Sequence, residues 1–243
     1  MDVSLQLYTL KELTKDDFAG TLEQVAKAGY KGVEFAGYGG LTAGQMKNTL
    51  DNLGLRSVSS HISYELFHEN LDEQIEYNLK LGTKFMICPY LKLNTREYAL
   101  HMAEEFNVFG EKIKASGMAF GYHNHDFELT IDQDKYVLDW LFENCDPELV
   151  KTQLDVFWVK KGGADPYDFI KRYAGRIPLI HIKDIDANLE NCDVGAGILD
   201  LPLIVQLARE GGCREFIIEQ EEFAVSELDS IKVGFENLSP LLA

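Results

Sequence analysis

The sequence is poor in cysteine, in positive charge and in long apolar runs. Its four cysteines, Cys88, Cys145, Cys192 and Cys213, are scattered with no C-x-x-C pair. That spacing argues against a zinc ribbon or a disulfide framework, and the thiols are expected to be reduced and mostly buried. Lys and Arg number 23 against 40 Asp and Glu, a formal net charge of −17. Nucleic-acid binding draws on clustered basic residues to displace counterions, so no nucleic-acid partner is expected. No apolar stretch is long enough to span a membrane, and Met1-Asp-Val-Ser has no basic n-region of a signal peptide. The expectation is a cytoplasmic protein with no membrane partner. Pro/Gly/Ser linkers and low-complexity tracts are missing too, so residues 1–243 are expected to form one domain.

What is present is ordinary globular composition, 46% hydrophobic and 26% charged, which argues against disorder. The length suits one α/β barrel. Val3–Tyr8 alternates like a strand and is followed by a helix opening near Thr14, with Phe18, Leu22, Val25 and Ala26 at helical spacing and Gly29 at its close. Gly32–Phe35, Leu55–His61 and Lys84–Cys88 read as the next strands. Helices are expected between them over Thr42–Leu53 and Asn70–Leu81, and after Pro89 from Thr95 to Ser116. Later strands precede His123, Asp155, His181 and Glu219. They alternate with helices near Tyr136–Glu143, after the Asp165-Pro166 start signal, over Pro202–Glu210, and in a closing amphipathic segment to Leu242. Eight strand–helix units imply a parallel sheet closed into a (β/α)₈ TIM barrel.

Barrel enzymes carry their chemistry at the carboxyl ends of the strands, and here the last four strands all deliver ligand-type side chains there. Strand 5 runs into Gly121-Tyr-His-Asn-His-Asp-Phe-Glu128, strand 6 ends at Asp155, strand 7 at His181 and strand 8 at Glu219. If these ends meet, Glu128, Asp155, His181 and Glu219 surround one point with hard oxygen and imidazole donors. That set suits one divalent ion, Mn²⁺ first, with Co²⁺, Mg²⁺ or Zn²⁺ as alternatives. Glu34 and His61, ending strands 2 and 3, are candidates for supporting the ligands or touching substrate. His123 is a further substrate-binding candidate. Trp158 is either a pocket wall for the C–H face of a sugar or plain packing. Lys183, on the same side of its strand as His181, is a candidate for binding a substrate oxygen. His125, Glu219 and Glu128 are the acid/base candidates. Gly195-Ala-Gly197 lies where many barrels hold phosphate, although a turn explains these glycines equally well.

Tyr122-His-Asn-His-Asp-Phe-Glu128, Leu154-Asp-Val-Phe-Trp158, His181-Ile-Lys-Asp184, Val194-Gly-Ala-Gly-Ile198 and Ile217-Ile-Glu-Gln-Glu221, with Gly32-Val-Glu34, resemble the xylose isomerase-like TIM barrels known as sugar phosphate isomerases/epimerases. The resemblance implies a divalent metal held by Glu128 or a strand-5 neighbour, Asp155, His181 and Glu219. Ketose epimerases of this superfamily carry Glu on strand 5, His three residues after the Asp and Arg six after the His. This chain has Gly121 or Tyr122, Trp158 and Ala187 there.

The resulting expectation is a metal-dependent sugar isomerase or epimerase working on a ketose or keto-sugar through an enediolate. The alternatives are a dehydratase or β-eliminase on a keto-sugar, 3-keto-glycoside or keto-inositol, and a non-catalytic sugar-binding barrel. The partner is a small sugar-like molecule, expected to be non-phosphorylated because these strand ends supply mainly acids. Oligomeric state is left open, a homodimer included.

Overall fold

Each of the eight apolar runs forms a strand, and the strands pair in parallel in sequence order until the last meets the first. In the computed structural model, which describes residues 1–243, β1 is Val3–Gln6, β2 Gly32–Ala36, β3 Arg56–His61, β4 Phe85–Cys88, β5 Ala119–His123, β6 Val150–Asp155, β7 Leu179–Ile182 and β8 Glu215–Ile218. Closure is through β1 and β8, Val3 opposite Phe216 and Leu5 opposite Ile218. The chain is a single (β/α)₈ barrel, as expected from the alternation. No helix is long and apolar enough to cross a membrane.

The helices start and stop where the side chains dictate. Thr42 and Gln45 form a reciprocal capping box before helix Ala43–Leu53, which Gly54 ends in the left-handed region at φ 65°. Asp17, Thr95 and Asp165 cap helices Phe18–Lys27, Arg96–Ala115 and Pro166–Arg172 through their side-chain oxygens. The core has two parts. A large cluster fills the space between sheet and helices, and a small plug of Val58, Ile87, Leu179 and Ile217 packs together on four of the strands.

Three local features depart from the sequence expectation. β1 stops at Gln6 rather than Tyr8, because Gln6 Oε1 accepts the Tyr8 N–H at 2.9 Å and curls the chain into a 3₁₀ turn over Leu7–Leu10. Short helices Lys11–Asp16, Tyr64–Glu69 and Val156–Lys161 are inserted, the last capped by the Asp155 carboxylate. Hairpins with strands of two residues each pair Ile131–Asp132 with Lys135–Tyr136 and Asp184–Ile185 with Asn191–Cys192.

Candidate active site

The side-chain period of two along a strand puts Glu34, Gln153, Asp155, His181 and Glu219 on the same parity as interior positions below them. Glu34 is the hub. A register shift between β2 and β3 sets it opposite Ser59. Its carboxylate accepts from Ser59 Oγ at 2.5 Å, Gln6 Nε2 at 2.7 Å, Gln153 Nε2 at 2.5 Å and His181 Nε2 at 2.6 Å, with His61 Nε2 3.1 Å away. Burial would raise its pKa, but the charges of His61 and His181 and the bonds they donate hold it well below the usual carboxylate range.

His181 lies between two carboxylates, Glu34 on Nε2 and Glu219 Oε2 on Nδ1 at 2.9 Å. Burial works against its charge, yet Glu34 and Glu219 raise it to about 10. Glu219 is held low despite burial by the Lys183 ammonium and His181. Asp155 is pushed up to about 7 by burial, against the pull of Lys183 and His181. Its Oδ1 caps Trp158 N–H at 3.1 Å, while its buried Oδ2 has no hydrogen-bond partner and lies 3.8 Å from His181 Nδ1. His123 is kept neutral by burial and by the neighbouring imidazoles.

One ligand atom each from His123, Asp155, His181 and Glu219 lies within 4.8 Å of all the others. Donors bound at about 2.1 Å to a shared ion are separated by roughly this span or less. Three features fit a divalent ion: the orphaned Asp155 Oδ2, the neutral His123, and an Nε2 of His181 committed to Glu34, which leaves Nδ1 facing the other ligands. Mixed carboxylate and imidazole donors suit Mn²⁺, Co²⁺ or Zn²⁺.

Glu128 is not part of this group. The 3₁₀ turn Phe127–Leu129 folds its carboxylate back, where it meets the Tyr122 hydroxyl and accepts the His125 backbone N–H at 2.9 Å. The Tyr122 hydroxyl also lies 3.1 Å from the Leu91 carbonyl oxygen. The hydroxyl donates to Glu128 Oε1, its nearer acceptor, and burial outweighs this bond and the His125 N–H to raise the Glu128 carboxyl to about 8. The strand-5 member of the cluster is His123, not Glu128.

Above the cluster opens a pocket of about 660 Å³, lined among others by His61, His123, His125, Trp158, Glu219 and Glu221. Lys183, expected to reach substrate, is buried instead. It is salt-bridged to Glu221, with its ammonium 4.8 and 4.9 Å from the ring centroids of Trp158 and Phe157. Glu34, expected to support the ligands or to touch substrate, is wholly buried and does the former, acting on the site through the two histidines. His125 stands in the pocket between Trp158 and Tyr90, with ring centroids 5.0 and 5.2 Å away. Its Nδ1 has no hydrogen-bond partner, and burial lowers its pKa to about 4, leaving the ring neutral.

Besides Gln6 and Ser59 under Glu34, the sequence reading gave no role to Gln153 or Asn124. Gln153 bridges Glu34, His61 and His123, with Oε1 2.7 Å from His61 Nε2 and 3.2 Å from His123 Nδ1. Asn124 accepts the Asp155 N–H at 2.9 Å and ties the ends of β5 and β6 together. Gln153 could have been found from its parity with Asp155, as a polar residue on the interior face of an apolar strand. The glycine turn at 195–197 holds no space for phosphate. The Asp184 carboxylate already accepts from Gly195 N at 2.9 Å and Gly197 N at 3.1 Å, and a Cβ on Gly197 would meet Asp184 Oδ1 at 2.1 Å.

The profile of the xylose isomerase-like TIM barrel family matches residues 22–237. The chain belongs to this family. Among its relatives, the rhizopine catabolism protein MocC of Rhizobium meliloti is 24% identical over 91% of this chain and 81% of its own length. An inosose dehydratase of Clostridium beijerinckii is 25% identical over 74% of this chain and 68% of its own. A solved Parabacteroides distasonis structure named as a sugar phosphate isomerase/epimerase is 26% identical and superimposes with a TM-score of 0.87, covering 100% of this chain and 96% of that one. The family thus includes proteins named as dehydratases and as isomerases/epimerases.

Proposed function

We propose that the protein removes the proton α to the carbonyl of a non-phosphorylated keto-polyol and lets the oxygen substituent on the next carbon leave, acting as a metal-assisted dehydratase or β-eliminase. The observation that carries this reading is that the pocket presents one unengaged base, His125. The pocket carboxylates are both committed, Glu219 to His181 and Glu221 to Lys183. Inverting a carbon centre calls for an acid and a base on opposite faces, whereas elimination can proceed with one group that takes a proton and hands it on. Similarity to an inosose dehydratase supports a cyclic keto-polyol.

His123, Asp155, His181 and Glu219 would hold the divalent ion, which when bound supplies Lewis-acid polarisation of the carbonyl. Trp158 offers an apolar face to the C–H side of the ring, and its neighbour His125 takes the α proton. Glu34 fixes the orientation of His181 from below. Lys183 keeps Glu219 ionised. The occupied glycine turn and a pocket lining without Arg or Lys both favour a substrate without phosphate.

The full-length likeness to the Parabacteroides distasonis protein favours a second reading, isomerisation, in which His125 returns the proton to the neighbouring carbon. Incubating protein loaded with Mn²⁺ with keto-inositols and ketoses in D₂O and following the products by NMR separates the two. Elimination gives an unsaturated ketone with loss of the β substituent. Deuterium retained in an isomeric sugar with no substituent lost rejects elimination, and no exchange from any compound leaves a sugar-binding barrel.

A further inference from the structure

Four of the chain's six histidines belong to the barrel mouth. The other two, His68 and His101, stand outside it and meet at one carboxylate. His68 Nε2 lies 3.0 Å from Glu105 Oε2, and His101 Nε2 lies 3.2 Å from Glu105 Oε1. His101 and Glu105 are a turn apart on helix Arg96–Ala115 and so share one of its faces, while His68 comes from the short helix Tyr64–Glu69 that follows β3.

These three side chains have the chemistry and nearly the spacing of a metal site. Donors held about 2.1 Å from a tetrahedral ion lie roughly 3.4 Å from one another, and both nitrogen–oxygen distances are already close to that. Glu105 is oriented from behind, because the Tyr64 hydroxyl donates to its Oε2 at 2.5 Å. The His68 ring is set edge-on against Tyr64 and Phe109, with centroids 4.6 and 5.0 Å away. Outer contacts of this kind aim ligands at an ion. The imidazoles are 45% and 61% exposed, so both rings are free to turn and bring their nitrogens onto one ion seated against the carboxylate. A neutral histidine offers Nε2 by carrying its proton on Nδ1, so ligation costs it no change of charge.

We propose that His68, His101 and Glu105 bind a second divalent ion, of the borderline kind typified by Zn²⁺, on the outside of the barrel. Imidazole donors suit Zn²⁺, Cu²⁺ and Ni²⁺, whereas Mg²⁺ and Ca²⁺ call for a shell of oxygens. The site is independent of the reaction proposed above, since none of its ligands lines the active pocket. Its effect reaches that pocket all the same. Ile62 and Ser63, just before helix Tyr64–Glu69, and Leu66 within it form part of the pocket wall. A helix of 6 residues is too short to hold its shape by propensity. An ion joining His68 to His101 and Glu105 anchors that wall to the 20-residue helix Arg96–Ala115 behind it.

The experiment takes the metal-stripped parent, His68→Ala and His101→Ala, dialyses each against micromolar Zn²⁺ and counts bound zinc by elemental analysis. Each variant should hold about one ion fewer than the parent, whatever number the barrel-mouth cluster takes. A barrel-mouth cluster that binds nothing lowers all three counts together, which separates its failure from failure of the outer site. His101 is exposed and its loss leaves the Tyr64–Glu105 bond in place, so the stripped variant should melt with the parent. Zn²⁺ should also slow amide hydrogen exchange over residues 62–69 at least tenfold in the parent and not in His101→Ala. Equal zinc counts in the parent and both variants would overturn the site. One ion lost with exchange over 62–69 unchanged would keep the site and overturn the anchoring.

Discussion

His181 Nε2 donates to Glu34 Oε1 at 2.6 Å deep in the barrel, which leaves Nδ1 as the nitrogen that faces Asp155 and Glu219. A carboxylate behind a ligating histidine fixes its tautomer and raises its basicity. Glu34→Gln keeps the shape and an acceptor while removing the charge. Affinity for Mn²⁺, measured by isothermal titration, should fall about 10–100-fold with the barrel intact by circular dichroism. Unchanged affinity would mean that Glu34 serves packing alone.

The unpartnered Oδ2 of Asp155 gives a second prediction. An acceptor buried without a partner costs free energy, so Asp155→Asn should leave the metal-free protein no less stable than the parent. The parent should gain about 2.7 kcal/mol at a metal concentration 100-fold above Kd, and the variant should lose most of that gain. Thermal melts with and without EDTA provide the check, and equal metal-induced shifts in Tm for both proteins would remove Asp155 from the ligand set.

The His125 imidazole makes no hydrogen bond, so its replacement should spare the fold. His125→Gln is expected to lower kcat by about 10²–10⁴-fold, the usual contribution of a positioned acid/base group. Exchange of the α proton in D₂O should slow in parallel. Full activity, or a collapsed melt, would show that the imidazole is a packing element.

Glu128 makes stability depend on pH. Its carboxyl titrates near 4.5 in the unfolded chain and near 8 in the fold. Below pH 4.5 both states are protonated and its contribution is complete. As pH rises towards 8 the unfolded state gives up a proton that the fold keeps, so stability declines, by roughly 3 kcal/mol at pH 7. Glu128→Gln can donate to Tyr122 and accept from His125 N–H without titrating. The variant should match the parent near pH 4 and exceed it at pH 7 in urea unfolding. A parallel pH dependence in the two proteins would contradict a neutral buried Glu128.

The barrel and three members of the candidate cluster were legible in the sequence because both depend on local pattern. Strand and helix periods set the eight units, and Asp155, His181 and Glu219 sit where apolar runs meet their loops. The fourth member was not legible. His123, His125 and Glu128 all follow the same strand, and which of them turns inward depends on a 3₁₀ turn that closes Glu128 onto Tyr122. The same limit applies to Lys183 and Glu34, which have the right chemistry at the right strand ends but are sealed under Trp158 and within the barrel interior. The glycine turn had two equal readings until Asp184 was found filling it. By itself the sequence determined the fold, the acid-rich strand ends and the absence of a basic surface, since these follow from periodicity and charge. Tertiary structure alone decided which side chains share a point and which are already satisfied, because hydrogen bonds such as that from Gln153 to Glu34 join residues 119 positions apart.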